Sequence, residues 1–278
     1  MQGKAYISVH QCIDVEVLEE TIRYLSRTGR TVIVSDGKYS YTIASKTKKG
    51  PTLIKVTTDG GDVSEDNAID LLAFSKLGIM TMIVAESNGG EKLEDDTVYR
   101  RDGISMINPK TLGNIAEGRM PKLFKERGMI KAKVNGRVLR RMRQEHSLSL
   151  GDLAEALSVG RRTIYEYEKG GMEAASEHAL ALAELFGEEV LEDVDLTPRD
   201  PGASINKRIT KLRAGDVVVN AHLLASAHAR FAEFSNLRLL DYDVREEAVK
   251  ISEILDIGYA VVDDGKIEVI RPSQAARN

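Results

Sequence analysis

Cysteine is all but absent. The single Cys12 excludes a disulfide framework and any zinc site built from cysteines. Long apolar runs are missing as well: no stretch reaches the roughly 18 uninterrupted apolar residues of a membrane span, and the opening MQGKAYISVH lacks the apolar segment of a signal peptide, so a soluble, cytoplasmic protein with no membrane partner is expected. The histidines His10, His146, His178, His222 and His228 are scattered. His222 and His228 do not stand at i and i+4 and have no carboxylate or Cys partner at metal-ligand spacing, and no nucleophile–base–orienter triad can be assembled; neither a metal nor another cofactor is expected. Positive charge is also in deficit over the whole chain, with net charge −4, which by itself argues against nucleic acid.

The distribution of that charge reverses the argument. From Arg119 to Gly170 there are 13 Lys or Arg against 6 Asp or Glu, so this stretch is basic and its flanks are acidic. Acidic flanks reduce indiscriminate binding to polyanions. A hydrophobic content of 42% over 278 residues is ordinary for a globular protein and allows two or three domains with real cores.

Within the basic stretch, Arg137–Gly170 carries three short apolar patterns at helical spacing: Val138, Leu139 and Met142; Leu153, Ala154 and Leu157; Ile164 and Tyr167. Each helix is too short to stand alone, so the three share one core. Ser149 is the expected N-cap of the second helix, with Asp152 in the capping-box position. Ser158, Val159 and Gly160 form the turn, Val159 pointing inward, and the third helix starts at Arg161. It presents Arg161, Arg162 and Tyr165 on the face away from Ile164 and Tyr167. Such a face in a major groove places guanidinium groups at guanine O6 and N7.

This pattern, from Leu139 through LSLGDLAEAL and RRTIYEYEKG, resembles the phage-repressor type of helix-turn-helix. The resemblance implies double-stranded DNA as partner. The chain departs from that family in having Leu150 where a polar residue usually begins the second helix, Ser158 where Gly is usual and Gly160 where Ser is usual. Ser149 therefore becomes the better phosphate contact, and a left-handed conformation falls on Ser158. Glu168 resembles the family glutamate that pairs with a first-helix arginine, here Arg140 or Arg143; the alternative is a solvated charge. A trihelical module with basic residues can also serve for protein docking.

Ahead of the module, Val15–Thr28 reads as a helix, Thr31–Val34, Tyr39–Ser45 and Leu53–Thr57 as strands, Ser64–Leu77 as a capped helix with Glu65 and Asp66 in its first turn, and Met80–Ala85 as a strand. Asp36-Gly37 is a hairpin turn signal. The GKYS at Gly37 fails as a phosphate loop, because Val32 stands where the first Gly is required. Asp59-Gly-Gly-Asp62 lacks calcium-loop spacing and reads as a turn. This helix-strand order resembles the restriction-endonuclease-like fold. That family needs an acid on the second strand and acid-x-Lys on the third to hold a metal that activates water. The corresponding residues here are Thr42 and Leu53, with Lys55 retained, so an inactive copy is expected; Asp36 beside Lys55 would make only a one-carboxylate site.

Nearly the whole chain is similar to a family of archaeal transcriptional regulators that join such a nuclease-like domain to this helix-turn-helix. LIKVTTD, the Leu93–Leu112 stretch, GRMPKLF and the Leu139–Gly170 core carry the similarity. Met129–Val134 reads as a strand with an Asn135-Gly136 turn, Glu177–Phe186 as a helix capped by Ser176, and the acidic run Glu188–Asp195 with the following Thr-Pro-Arg-Asp-Pro as a linker. Beyond Pro201, helix is expected at Ile205–Leu212, strand at Asp216–Asn220, helix or long loop at Leu223–Phe234, strand at Leu237–Leu240, helix at Val244–Leu255 and strand at Tyr259–Val262. RTVIVSD answers GDVVVNA, LIKVTTD answers LRLLDYD, SEDNAIDLLAFSKLGI answers REEAVKISEILDIGY, and MIVAES answers AVVDDG, as in a degenerate duplication, although shared α/β patterning gives the same appearance.

The expected architecture is α/β plus all-α. A nuclease-like α/β domain spans 1–118, a connecting strand and turn 119–136, a four- to five-helix phage-repressor-type domain 137–190, a linker 191–203, and a small α/β domain, read as a shrunken repeat of the first, 204–278. The expected function is sequence-specific DNA binding by a non-enzymatic transcriptional regulator. Arg161, Arg162 and Tyr165 of helix 161–169 read bases, while Ser149, Arg140, Arg141, Arg143 and Lys169 hold phosphates. The α/β domains serve for homodimerisation or for sensing an effector, with no pocket residue identifiable. The rival readings are a metal-dependent, structure-selective nuclease anchored by the helix-turn-helix, and a bridging protein docked on transcription machinery.

Overall fold

A computed structural model of the chain describes residues 15–33, 40–47, 49–75, 78–199, 209–214, 217–225, 230–234, 237–240, 250–251, 253–255, 258–263 and 266–270. The Asp36-Gly37 turn and the GKYS segment up to Tyr39 lie outside these residues, as do Cys12, His10 and His228.

The expected order of the first domain is observed: α1 (Val15–Ser26), β1 (Gly29–Ile33), β2 (Ile43–Thr47), β3 (Gly50–Val56), α2 (Glu65–Ser75) and β4 (Met80–Val84). β1, β2 and β3 are antiparallel, and β3 runs parallel to β4. Alternation along these strands explains the three layers. Leu53 and Ile83 face the α2 side with Ala68, Leu71 and Leu72, while Ile54, Val56, Met82 and Val84 face the α1 side with Val17 and Leu25. The central strands are thus apolar on both faces, as a sheet covered by helices on both sides requires. On α1, Val17, Thr21 and Leu25 recur every four residues and are buried.

The Leu93–Leu112 stretch supplies β7 (Thr97–Arg101), β8 (Ile104–Ile107) and the start of α3 (Pro109–Ala116), after the short hairpin of β5 (Ser87–Asn88) and β6 (Glu91–Lys92). Asn108 caps α3 by accepting from Thr111 N–H at 2.8 Å, and Pro109 fits the first turn. α3 approaches α1 so closely that a Cβ on Gly113 would lie 2.6 Å from the Tyr24 ring.

The connecting segment is more than one strand. β9 (Leu123–Glu126) and β10 (Met129–Ala132) form a hairpin; β9 pairs parallel with β7, and β10 pairs with β11 (Ala174–Ala175). One nine-stranded sheet, in the order β1-β2-β3-β4-β8-β7-β9-β10-β11, therefore runs from the first domain into the helical module.

The acidic segment after the module is also not a free linker. Val190, Leu191 and Leu196 are buried within it. Backbone bonds run from Glu192 N–H to Lys133 O (2.9 Å), from Val194 N–H to Pro121 O (2.9 Å) and from Arg199 N–H to Gly103 O (2.8 Å), and Arg100 donates to Asp195 O at 2.7 Å. Apolar residues interleaved with the acids turn the run into a strap lying back on the first domain.

The last domain is a six-stranded sheet of β12 (Ile209–Ala214), β13 (Val217–Ala225), β14 (Arg230–Phe234), β15 (Leu237–Leu240), β16 (Gly258–Asp263) and β17 (Lys266–Ile270), adjacent in that order. Two expectations are corrected: residues 209–212 are strand, not helix, and most of 223–234 is a β13–β14 antiparallel pair, not helix or loop. Residues 205–208 and 244–249 lie outside the described ones. β13, β14 and β15 are antiparallel, residues 250–251 and 253–255 are helical, and β16 returns parallel to β15. β1, β2, β3, α2 and β4 run in the same relative directions; among the described residues the element before β13 is the strand β12, where α1 precedes β1. Ile251, Ile254 and Leu255 are buried in the same core as α2.

Candidate nucleic-acid interface

α4 (Gly136–Glu145), α5 (Leu150–Ala156) and α6 (Arg161–Lys169) are held by one apolar core. Leu139, Leu153, Ala154, Leu157, Ile164 and Tyr167 join Ala179, Leu182 and Phe186 of α7 (Ser176–Phe186), together with Val134 and Leu191. Gly136 sits where α4 crosses α6; a Cβ there would stand 2.3 Å from Glu168 O.

Ser149 caps α5 as expected. Its Oγ accepts from the N–H groups of Gly151 and Asp152, both at 3.1 Å, and Asp152 Oδ2 accepts from Ser149 N–H at 2.7 Å, completing the capping box. That bond to the Ser149 backbone holds the Asp152 carboxyl below its ordinary range, with a smaller contribution from the nearby Arg161 charge. Ser149 itself is exposed.

The turn also follows the sequence. Ser158 adopts φ 53°, the left-handed conformation that Gly has in the phage-repressor pattern, and Val159 packs inward. Gly160 is the N-cap of α6 and makes no side-chain cap bond. Thr163 N–H instead donates to Gly160 O at 2.9 Å. Gly170 closes the helix at φ 71°.

At 100° per residue, Arg161, Arg162, Tyr165 and Lys169 fall within one third of the circumference of α6, opposite Ile164 and Tyr167. All four are exposed, and Ile164 and Tyr167 are buried. Lys169 Nζ lies 4.8 Å from the centre of the Tyr165 ring, an i,i+4 cation–π pair that extends the cationic face to the end of the helix. The Arg161 side chain lies against Gly151 at the start of α5. The structure thus gathers these four residues on one side of the module with Ser149 close by. Arg140 and Arg141 are exposed on α4, Arg141 standing 3.8 Å from Glu145.

Arg143 is the exception, and the expectation of a phosphate contact is corrected. Its Nε donates to Glu168 Oε1 at 2.6 Å, a second guanidinium nitrogen reaches Glu168 Oε2 at 3.2 Å, and a third donor bonds Leu148 O at 2.8 Å. The side chains of Arg143 and Glu168 are only 11% and 8% exposed. This settles Glu168 as the partner of Arg143, not Arg140. The fork of the guanidinium ties α4 to α6 and to the α4–α5 turn, which leaves no face for a phosphate. Elsewhere in the module, Tyr167 Oη meets His178 Nδ1 at 3.2 Å and His146 packs edge-on to Phe186, so both histidines have local structural partners.

The metal site that the nuclease-like fold implies is not supported by the residues at its position. Leu53 is fully buried in the α2-side core. Thr42 N–H donates to Ile54 O at 2.8 Å, and its hydroxyl accepts from Val56 N–H at 3.2 Å, continuing the β2–β3 ladder through a side chain. Lys55 is buried, and Asp70 of α2 accepts from the Ser40 hydroxyl. Among the described residues no group of three His, Cys, Asp or Glu gathers as a metal site. Asp36 lies outside them. The Asp59 loop is a turn, as expected: its carboxylate accepts from Gly61 N–H (2.6 Å), Gly89 N–H (2.7 Å), Gly90 N–H (2.7 Å) and Ser87 Oγ (2.8 Å), joining two loops. The Gly90 and Gly89 amides hold its carboxyl far below the ordinary carboxylate range. Among the described residues no helix is long and apolar enough to cross a membrane.

Comparison with known proteins recognises two regions of the chain. Residues 14–121 match the PD-(D/E)XK superfamily domain and residues 139–192 the helix-turn-helix family. The chain is 30% identical over 236 residues to a protein of Thermococcus gammatolerans named "Putative HTH-type transcriptional regulatory protein", covering 80% of this chain and 74% of that one. A protein of Pyrobaculum aerophilum with the same designation is 32% identical over 188 residues, covering 66% and 75%. One of Aeropyrum pernix is 37% identical over 153 residues, covering 54% and 46%. No solved structure matches the chain.

Proposed function

The chain belongs to this family of HTH-type transcriptional regulatory proteins, and we propose that it is a sequence-specific binder of double-stranded DNA that acts in transcription without chemistry of its own. α6 enters the major groove, where Arg161 and Arg162 read base edges and Tyr165 adds an apolar or hydroxyl contact. Ser149, Arg140, Arg141 and Lys169 hold phosphates and fix the register. Arg143 positions α6 through Glu168. A homodimer formed through an α/β domain brings two modules to two half-sites. The observation that carries this reading is the single cationic face of α6, exposed over its whole length on a helix whose opposite face is locked in the core.

The nuclease reading is disfavoured by the filling of both carboxylate positions, Thr42 and Leu53. Magnesium-dependent cleavage of a branched duplex by the purified chain would restore it. The docking reading expects no preference among DNA sequences. Titration of the chain onto duplex from its own promoter and onto a random duplex of equal length, at several salt concentrations and alongside Arg161→Ala/Arg162→Ala, separates operator reading from docking. Promoter preference lost in the double variant, with a salt-dependent residual affinity retained, is the expected result. Equal binding of both duplexes by the unmodified chain would overturn operator reading at that promoter.

A further inference from the structure

A cavity of about 600 Å³ opens between the end of α1, the β2–β3 turn, α3 and the strap at 193–197. Its volume is in the range of small-molecule sites. Its wall is apolar, with Leu25, Leu112 and Ile115 set beside Met80, Met82 and Met120. Thioether side chains adapt their shape to an apolar guest.

The rim carries four charged groups: Arg27, Lys49, Asp193 and Asp195. Both acids are already engaged. Asp193 accepts from Lys122 Nζ at 2.6 Å, and Asp195 accepts from Thr197 N–H at 2.9 Å, with Thr197 holding its carboxyl below the ordinary range. The cations differ. The hydrogen-bond contact of the Lys49 ammonium at the rim is Met120 Sδ at 3.6 Å, a weak acceptor, and the Arg27 side chain is exposed. Among the described residues the rim charge without an ion-pair or backbone partner is positive, and such an apolar chamber suits a guest with an anionic end.

We propose that this cavity binds a compound with an apolar chain or ring and one anionic end, a carboxylate or a phosphate, its body against the methionines and its head between Arg27 and Lys49. Val194 and Leu196 of the strap line the cavity, and Val190 and Leu191 of the same segment sit in the core of the helix-turn-helix module. Occupancy therefore acts on a segment tied to both domains, which makes the cavity the effector site of the regulator; this second step rests on the proposed function. The effect on DNA affinity equals the difference in ligand affinity between the DNA-bound and free forms.

Isothermal titration of the full chain with dodecanoate, dodecyl phosphate and dodecyltrimethylammonium, each below its aggregation concentration, tests the site. Saturable one-to-one binding of an anionic probe is expected, with the cationic probe far weaker, and the preference between the two anions identifies the head group. Arg27→Gln/Lys49→Gln is expected to weaken the preferred anion about tenfold, because two charge-assisted contacts are lost at exposed positions. Ala116→Phe, which fills the chamber and leaves the rim intact, is expected to weaken all three probes. No binding of either anion, equal binding of the cation, or an unchanged affinity in the double glutamine variant would overturn the site. Promoter DNA is then titrated with and without the bound anion: a shifted affinity supports the effector role, and an unshifted one overturns it. A chain that binds the anion but no DNA refutes the regulator reading and leaves the binding site standing.

Discussion

The helix-turn-helix and the nuclease-like domain use polar side chains in opposite ways. On α6, Arg161, Arg162, Tyr165 and Lys169 are exposed, and the apolar residues beneath them do the holding. In the first domain, several polar groups are turned onto the protein itself: Thr42 completes a strand ladder, Asp70 receives Ser40, and Asp59 ties two loops together. A surface meant for a partner leaves donors unanswered, because each one satisfied internally is one fewer for the ligand. In the first domain the satisfied donors contribute to stability instead.

The largest expected effect breaks this comparison on the helix-turn-helix side. Arg161→Ala/Arg162→Ala should remove about 2–6 kcal/mol of operator preference, at about 1–3 kcal/mol for each bidentate base contact, while melting of the protein is unchanged. Competition binding with promoter and random duplex measures it.

Next comes the one charged pair that behaves like the first domain although it lies within the helix-turn-helix. Glu168→Ala leaves the Arg143 guanidinium buried without its carboxylate, and a loss of about 3 kcal/mol in denaturant unfolding is expected. Arg143→Ala should reduce DNA affinity only in proportion to this instability. A purely electrostatic loss, steep in salt and with the fold intact, would instead return Arg143 to the phosphate contacts.

Asp59 gives a smaller, pH-dependent effect. Its carboxyl titrates below its ordinary value of 3.8 in the folded chain, so its contribution is complete above about pH 4 and declines as pH falls from there toward the lower folded value. Asp59→Asn should therefore lower stability at pH 7 by about 1–2 kcal/mol and flatten the acid side of the stability–pH curve. Thermal melts from pH 7 to pH 2 check both. The smallest change is Thr42→Val, about 1 kcal/mol for the ladder bond to Val56, with no change in response to magnesium. A magnesium-dependent rise in melting temperature of the unmodified chain that vanishes in Thr42→Val would overturn the inactive-site reading.

Local chemistry made much of this visible in advance. The spacing of Leu153, Ala154, Leu157, Ile164 and Tyr167 identified the core of the helix-turn-helix, the Ser149–Asp152 pair its cap, and Ser158 its left-handed turn, because helix faces and caps depend on residues within four positions of one another. The expected strand and helix order of the first domain holds for the same reason. The failures have a common cause. The acids that dominate 188–195 predict a linker, and Val190, Leu191 and Leu196 acquire meaning only from the surfaces that bury them. Apolar spacing predicts helix at 205–212 and helix or long loop at 223–234, where strands occupy 209–214, 223–225 and 230–234, because in short segments it fits both periods until a partner strand is present.

By itself, the sequence determined the helices, cap and turn of the helix-turn-helix and which face of α6 carries cations, since these follow from side-chain periodicity and backbone preference. Only the tertiary structure decided that Arg143 belongs to Glu168, that one sheet continues from the first domain into the helix-turn-helix, and that Arg27, Lys49 and the strap meet around one cavity. These juxtapositions join residues 22 to about 170 positions apart, and the sequence encodes them only through the packing of the whole chain.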